Sequence, residues 1–443
     1  MKIMMPTSVK YIIDTLMSEG FGAYIVGGCV RDSILGKNPD DWDITTSAKP
    51  SEIKRLFSKT IDTGLKHGTV TVIIDNEPYE VTTYRIDGKY EDNRRPKTVE
   101  FTRDIVEDLK RRDFTINAMA YNEEDELIDV FNGKEDLNNG LIRCVGNSKE
   151  RFNEDALRML RAIRFSAQLN FNIHGNTEEA IKQDAHLIKR ISVERINVEL
   201  TKLITSNQPY KFKKLYELNL LEHIMPEFIP CFNTSQNNPH HKYSVGEHIL
   251  KTLEHISNIS ELRWTMLLHD IAKPQKKTTD EKGIDHFYGH AKKSYDIAKV
   301  ILKRLKFDNR SIDIITRLIL YHDYRFEPSP KAVRKALNKI GDDIFTLFLK
   351  VQEADIRAQS EYKRKEKLIK INEIEKTYNY IKAQKQCFTI KQLDITGKDI
   401  IDLGIKQGKE IGKILSYLLE AVIEKPELNK KKLLIDLVKK YIN

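Results

Sequence analysis

The chain has 443 residues, more than one hydrophobic core usually serves, and its 40% hydrophobic and 31% charged residues give the balance of a globular protein, not of a disordered or membrane-embedded one. Lys and Arg exceed Asp and Glu by 74 − 65 = 9, which favours a polyanionic partner such as nucleic acid. Cys29, Cys144, Cys231 and Cys387 are far apart with no C-x-x-C, the first residues lack the apolar stretch of a secretion signal, and no long apolar run follows, so the expectation is a thiol-reduced, cytoplasmic protein of two to four domains.

In chain order, residues 7–19 place Val9, Ile12, Ile13 and Leu16 at helical spacing, with Gly20 to end the helix. Tyr24-Ile25-Val26 reads as a short strand running into Gly27-Gly28, where only glycine lets the backbone turn and approach a ligand closely. Arg31 and Asp32 follow on a helical turn that Gly36 closes. Next comes Asp41-Trp42-Asp43-Ile44. If this stretch is extended, Asp41 and Asp43 project from one face. Two carboxylates held together repel unless a cation lies between them; a hard divalent cation with oxygen ligands, its shell completed by substrate phosphates, meets that need.

Residues 50–57 read as an amphipathic helix, and the period then changes to two. Residues 69–74 and 79–85 are β-branched and aromatic runs separated by Asp75-Asn76-Glu77-Pro78, which predicts a hairpin. Glu80, in its second strand, is either an outward-facing charge or a third carboxylate beside Asp41 and Asp43. Residues 85–103, with Arg85, Asp92, Arg94, Arg95 and Pro96, read as a long polar loop, a kind that is usually functional. In RRDFTINAMAY (residues 111–121), Arg112 can donate a two-pronged fork to a phosphate or base edge, with Asp113 to hold it. Residues 128–137 read as a short strand and a glycine turn at Gly133, and nothing after about residue 145 reads as strand.

Residues 149–170 are expected to form one helix with Glu154, Asp155, Arg158, Arg161 and Arg164 along a single ridge and Ala156, Leu157, Leu160, Ile163 and Phe165 on the buried side. Three arginines one turn apart repel each other unless a polyanion compensates them. Glu194 and Arg195 sit in a further helix, 191–205. From residue 211 the apolar period is helical throughout, interrupted by Pro226, Pro230 and the polar stretch 232–242. Beyond it lie His248, His269-Asp270, His286, His290 and His322-Asp323, histidine and aspartate being sensible ligands for a transition metal. The last hundred residues are lysine-rich, with Gly397, Gly404, Gly408 and Gly412 between short helices whose amides and lysines could grip RNA phosphates.

Strand, Gly-Gly, Arg-Asp, D-x-D, then RRDFTINAMAY, then EDALRMLRAIRF: this series resembles class II nucleotidyltransferases, the tRNA CCA-adding enzymes and bacterial poly(A) polymerases, from residue 21 to about 435. The spaced H…HD…H…HD resembles the HD phosphohydrolase superfamily. The resemblance implies an α+β protein: a mixed α/β head (1–145) carrying catalysis, then all-α neck (146–230), HD (240–350) and tail (351–443) parts, the neck binding nucleotide and RNA and the tail tRNA. It implies Mg²⁺ held by Asp41 and Asp43, and nucleotide contacts from Gly28, Arg31, Arg112, Arg161 and Arg164. Asp155 and Arg158 would pair with the incoming base in place of a template. His248, His269, Asp270 and Asp323 would hold a further divalent metal. Glu80 matches the place of a third carboxylate, and the loop 85–103 matches a segment needed to pass from adding C to adding A. The implied reaction adds CCA to the tRNA 3′ end from CTP and ATP. Alternatives are an A-adding enzyme beside a separate CC-adding one, or a mainly hydrolytic HD protein.

Overall fold

The structure is a computed structural model that describes residues 2–88, 90–91, 95–96 and 98–442. Val9, Ile12, Ile13 and Leu16 line one face of the helix Thr7–Ser18 and all four are buried. Apolar residues recurring with the helical period can share one core-facing stripe, and here they do. The chain turns at Gly20 (φ 81°) into Ala23–Val26 (β1), a strand buried at every residue.

Six further strands join β1 in one sheet: Ile44–Thr46 (β2), Thr60–Gly64 (β3), Thr69–Ile74 (β4), Glu77–Thr83 (β5), Ala120–Asn122 (β6) and Glu126–Ile128 (β7). Their order is β7-β6-β1-β2-β5-β4-β3. β1 pairs antiparallel with β2 (Ile25↔Ile44) and with β6 (Val26↔Ala120), whereas β2 and β5 run parallel (Ile44↔Val81). The β4–β5 hairpin forms as expected. Asp75 (φ 52°) and Asn76 (φ 66°) both take the left-handed conformation that suits the twist of a two-residue turn. The consequence for function is that β1, β2 and β6 are neighbours. Chain segments flanking them, Gly27-Gly28 after β1, Asp41–Asp43 before β2 and Arg112–Asn117 before β6, are thereby brought together although up to 90 positions separate them in sequence.

Two expectations are corrected. Strand pairing continues past residue 145: Leu141–Ile142 pairs parallel with Asn172–Ile173, and Thr278–Thr279 antiparallel with Asp285–His286. Ladders of two residues are too short to leave a period in the sequence. The helix expected over 149–170 is two helices, Ser148–Glu154 and Leu157–Leu169. Asp155 between them is extended (φ −143°, ψ 103°), and its carboxylate accepts a hydrogen bond from the Leu157 amide at 3.1 Å, so the aspartate starts the second helix instead of riding on the first.

The chain divides into two compact units, Met1–Ile229 and Pro230–Asn443, the division falling beside the predicted proline-marked linker. Long helices dominate the second unit, with Trp264, Phe345 and Phe348 among its fully buried side chains. Near its end Ile400, Leu418, Val422, Leu434 and Val438 form a core of their own. No helix among the described residues is long and apolar enough to cross a membrane. The four cysteines are free and buried, and burial first of all holds the Cys29 and Cys144 thiols up at about 11, where they stay protonated.

Candidate active site

An open cleft of about 420 Å³ lies over the chain segments that flank β1, β2 and β6. Its first wall begins at Gly27, whose φ of 80° turns β1 directly into the helix Gly28–Ile34. A Cβ on Gly27 would stand 3.0 Å from Arg112 Nη1, so both the conformation and the close approach of that guanidinium require glycine. Gly28, by contrast, is an ordinary helical residue whose Cβ would meet nothing nearer than Arg31 Nη2 at 3.7 Å.

Asp41 and Asp43 both line the cleft. Asp43 keeps an open face to it but is otherwise crowded by protein. That desolvation raises its carboxyl above the ordinary value; the Arg112 guanidinium opposes the rise and the neighbouring Asp41 charge adds to it. A cation between the two carboxylates would relieve both the crowding and the repulsion, so the pair fits a hard divalent ion. Arg112 also has a buried Nε with no hydrogen-bond partner among the described residues, a donor suited to an anionic ligand.

The remaining wall is a continuous hydrogen-bonded series of charges. Arg31 clamps Asp32 through Nε (2.9 Å) and Nη2 (2.8 Å) and donates through Nη1 to Asn117 Oδ1 at 2.7 Å. Asn117 Nδ2 donates in turn to Asp113 Oδ1 (3.2 Å), whose other oxygen accepts from Arg161 Nε at 2.7 Å. Arg164 Nε donates to Glu199 Oε2 at 2.5 Å, and its guanidinium lies 3.8 Å from the centre of the Phe165 ring. Arg31 and Arg161 flank the same ring, each at 5.3 Å. The three neck arginines are therefore not left to repel one another: Glu154, Asp113 and Glu199 compensate Arg158, Arg161 and Arg164 from within the protein.

Burial alone would raise the Asp113 carboxyl, but Arg161 beside it prevails and holds it down at about 2. A carboxyl depressed in the folded state stabilises the fold above its unfolded pKa, and that contribution is lost as pH falls through the folded value. Asp113→Asn is accordingly expected to cost about 2 kcal/mol at pH 7, the gap from wild type closing between about pH 4 and pH 2. Urea midpoints measured along that pH range check it; a gap independent of pH would assign the loss to packing.

Arg31, Arg112, Arg161, Arg164, Gly28, Asp41 and Asp43 thus meet at one cleft. Asp155 and Arg158 are not among its lining residues. Asp155 is ion-paired with Arg195 at 2.7 Å, and Arg158 donates to Glu154 and to the carbonyls of Arg151 (3.1 Å) and Arg111 (2.8 Å). Both stay close enough for the Asp155 charge to act on Arg161 and that of Arg158 on Asp113. Glu80 is exposed on β5 and is not among the described lining residues either. Of the loop residues, Asp92 and Arg94 lie outside the described residues. Phe165, Asn117 and Lys202 line the cleft without a sequence signal, each reading there as ordinary helix or core.

In the second unit the histidines converge. His248, His269, Asp270, His290, His322 and Asp355 are all buried. His248 Nε2 lies 3.0 Å from Asp355 Oδ1 and 3.6 Å from Asp270 Oδ2, with His269 Nε2 3.2 Å from that same Asp270 oxygen. Asp323 is an exposed side chain 3.5 Å from Arg325 and lines the adjoining cavity of about 260 Å³, as does the buried Asp355. The helix Asp342–Ala358 carries Phe345, Phe348, Gln352 and Asp355 at core-facing spacing. A lone acid on an apolar stripe was the available signal. His286 turns away to Asp280 at 3.0 Å.

The chain resembles known proteins along most of its length. The Poly A polymerase head domain matches residues 23–143, the probable RNA and SrmB-binding site of polymerase A residues 170–232, and the putative tRNA nucleotidyltransferase domain 2 residues 275–438. The chain is 37% identical over 435 residues to the CCA-adding enzyme of Ligilactobacillus salivarius, covering 97% of this chain and 95% of that one. It is 36% identical over 430 residues to that of Bacillus cytotoxicus, at 95% and 94%. Among solved structures, the Bacillus stearothermophilus CCA-adding enzyme in complex with CTP superposes with a TM-score of 0.73 at 29% identity, covering 99% of this chain and 98% of the other. The Thermotoga maritima CCA-adding enzyme complexed with tRNA shares the fold, with a TM-score of 0.63 at 21% identity. A carboxylate pair facing a wall of arginines, on a chain alike from end to end, places this protein in the family of CCA-adding enzymes.

Proposed function

We propose that this chain is a template-independent tRNA nucleotidyltransferase that adds CCA to the tRNA 3′ end from CTP and ATP and releases pyrophosphate. The observation that carries this is one cleft in which Asp41 and Asp43 face Arg31, Arg112, Arg161 and Arg164. Asp41 and Asp43 would hold Mg²⁺, and the chemistry such an ion would supply there is activation of the terminal 3′-hydroxyl and screening of the triphosphate charge. Arg112 binds phosphate oxygens by forked donation, Gly27 lets it close on them, Arg31, held by Asp32 and Asn117, lends its positive charge, and the guanidiniums packed on Phe165 fix the depth of the nucleotide. Catalysis here is positioning and charge compensation, since phosphoryl transfer asks little covalent chemistry of the protein. In this reading the head (1–145) carries the chemistry, the neck (146–230) the choice of nucleotide, and the tail (351–443) the grip on tRNA. Four free thiols suit a cytoplasmic setting.

Asp155 and Arg158 serve as the base-reading pair in this scheme, and to do so they exchange Arg195 and Glu154 for the Watson–Crick edge of the incoming base. Arg158→Ala is expected to lower discrimination between CTP and ATP by about 1–3 kcal/mol while leaving triphosphate affinity nearly unchanged. Single-turnover incorporation with each nucleotide checks it, and unaltered selectivity would remove the base-reading role. The overall activity is tested with tRNA ending at the discriminator base, in C or in CC, offered CTP, ATP or both. Complete CCA ends are expected; incorporation of A alone onto CC ends would make the chain an A-adding partner of a separate enzyme.

A second reading belongs to the second unit. His248, His269 and Asp270 form a buried set of donors, with Asp355 Oδ1 3.0 Å from His248 Nε2, that fits a divalent transition metal, which would supply an activated water for phosphoester hydrolysis. Metal-dependent cleavage of RNA 2′,3′-cyclic phosphate ends, lost in His269→Ala but not in Asp41→Ala, is the expected result.

A further inference from the structure

One buried carboxylate is tied to the cleft without lining it. Asp108, on the short helix Ile105–Lys110, is wholly buried and collects donors from three parts of the head. Its Oδ1 accepts from Arg111 Nε (3.0 Å) and Nη2 (2.8 Å) and from the Arg85 amide (3.3 Å), where the strand Arg85–Asp87 begins. Its Oδ2 accepts from Arg112 Nη2 and from the Thr45 hydroxyl, each at 3.4 Å. Thr45 stands on β2, two residues beyond Asp43. Burial by itself would raise the Asp108 carboxyl, but the Arg111 and Arg112 charges prevail and hold it below its ordinary value, so it stays ionised.

Arg112 is held differently from the other arginines of the cleft. Arg31, Arg161 and Arg164 each have two side-chain partners, whereas Asp108 is the one hydrogen-bond acceptor of the Arg112 guanidinium among the described residues. Asp43 draws the same guanidinium from the other side, close enough for the two charges to act on each other. A cation between two carboxylates settles by their balance. Without the Asp108 charge, nothing opposes the pull of Asp43 and Asp41, and the guanidinium would fall into the space their own cation needs. We propose that Asp108 is a positioning residue of the transferase reaction: it holds Arg112 back from Asp41 and Asp43 and so keeps its unengaged N–H groups free for the triphosphate. The inference rests on the reading of Arg112 as a phosphate ligand. The effect belongs to the charge of Asp108, and it is blind to the base because CTP and ATP carry the same phosphates.

The test measures binding of CTP, ATP and tripolyphosphate to the full chain by calorimetry, beside rapid-quench incorporation. Asp108→Asn keeps the shape and one acceptor oxygen but removes the charge. It is expected to weaken all three ligands roughly 10- to 100-fold, the effect of one charge-assisted hydrogen bond, with tRNA affinity and the choice between C and A unchanged. In an Arg112→Gln background the same change should add less than about twofold, because the group it positions is gone. Equal losses in both backgrounds would mean a general disturbance of the head and would overturn the proposal, as would a folded Asp108→Asn that binds tripolyphosphate like wild type. Arg111→Met breaks the closer ion pair of Asp108 but leaves Arg112 in place, and its tripolyphosphate binding should stay close to wild type. A loss matching that of Asp108→Asn would make Arg111, not Arg112, the group that Asp108 serves, and the proposal falls. If Asp108→Asn alone does not fold, Asp108→Asn with Arg111→Met, which strands no charge opposite Arg111, is assayed in its place, and the loss of binding must persist. Arg112→Gln with unaltered affinity for all three ligands would remove the phosphate role of Arg112 itself, a failure visible without any change at Asp108.

Discussion

Asp41→Ala and Asp43→Ala are each expected to lower single-turnover addition of C and of A at least about 1,000-fold, about 4 kcal/mol of transition-state stabilisation, while tRNA affinity stays within a few-fold. The split follows from placement. Both carboxylates line the cleft and, among the described residues, neither is hydrogen-bonded into its charge series, so neither removal breaks a buried hydrogen bond. In the proposed scheme they would hold the ion that binds the triphosphate, and the Asp43 carboxyl, raised first by desolvation and further by the Asp41 charge, is one that a cation would relieve. Filter binding of tRNA beside rapid-quench incorporation separates the effects. Turnover within tenfold of wild type in either variant would sink the assignment of the metal to this pair.

Glu199→Ala should be the more damaging change to the fold. Glu199 is 6% exposed and compensates the equally buried Arg164, with Arg161 Nη1 a further 4.0 Å away. Its removal leaves a guanidinium stranded between Gln168 and the Phe165 ring in a place where burial already lowers its pKa. Breaking a buried pair on one side costs about 3–5 kcal/mol, a fall of roughly 10 °C in melting temperature for a unit of this size. Glu199→Gln keeps an acceptor and should lose much less. Replacing both partners, as in Glu199→Leu with Arg164→Met, should recover most of the stability but not the activity, because Arg164 also lines the cleft. Calorimetric melting of the four proteins decides it; a loss under 1 kcal/mol in Glu199→Ala would mean that solvent reaches Arg164.

Most of the charged residues that line the cleft were legible in the sequence because they are local patterns. Gly27-Gly28 beside a short strand, Asp41 and Asp43 at a spacing of two, and Arg112-Asp113 ahead of an apolar run each state their geometry within a few positions. The hairpin was legible for the same reason, as were the cysteines' reduced state and the helical second half. What stayed hidden was compensation across distance. An arginine ridge looks the same in sequence whether an RNA or a buried glutamate balances it, and only packing Leu157–Leu169 against Val193–Ile204 shows that Glu199 does.

The histidine cluster divides along the same line. Sequence alone determined which residue types could bind metal, since His-Asp pairs in helical surroundings are conspicuous wherever they fall. Sequence adjacency does not settle which aspartate faces them: Asp323 follows the buried His322 just past the end of the helix Asn309–Tyr321, and its own side chain is exposed, 3.5 Å from Arg325. Asp355 reaches His248 across 107 positions because its own helix presents it to the core. Ligand identity is written in the sequence one residue at a time; ligand membership is decided by which helix faces meet, and only the tertiary structure brings those faces together.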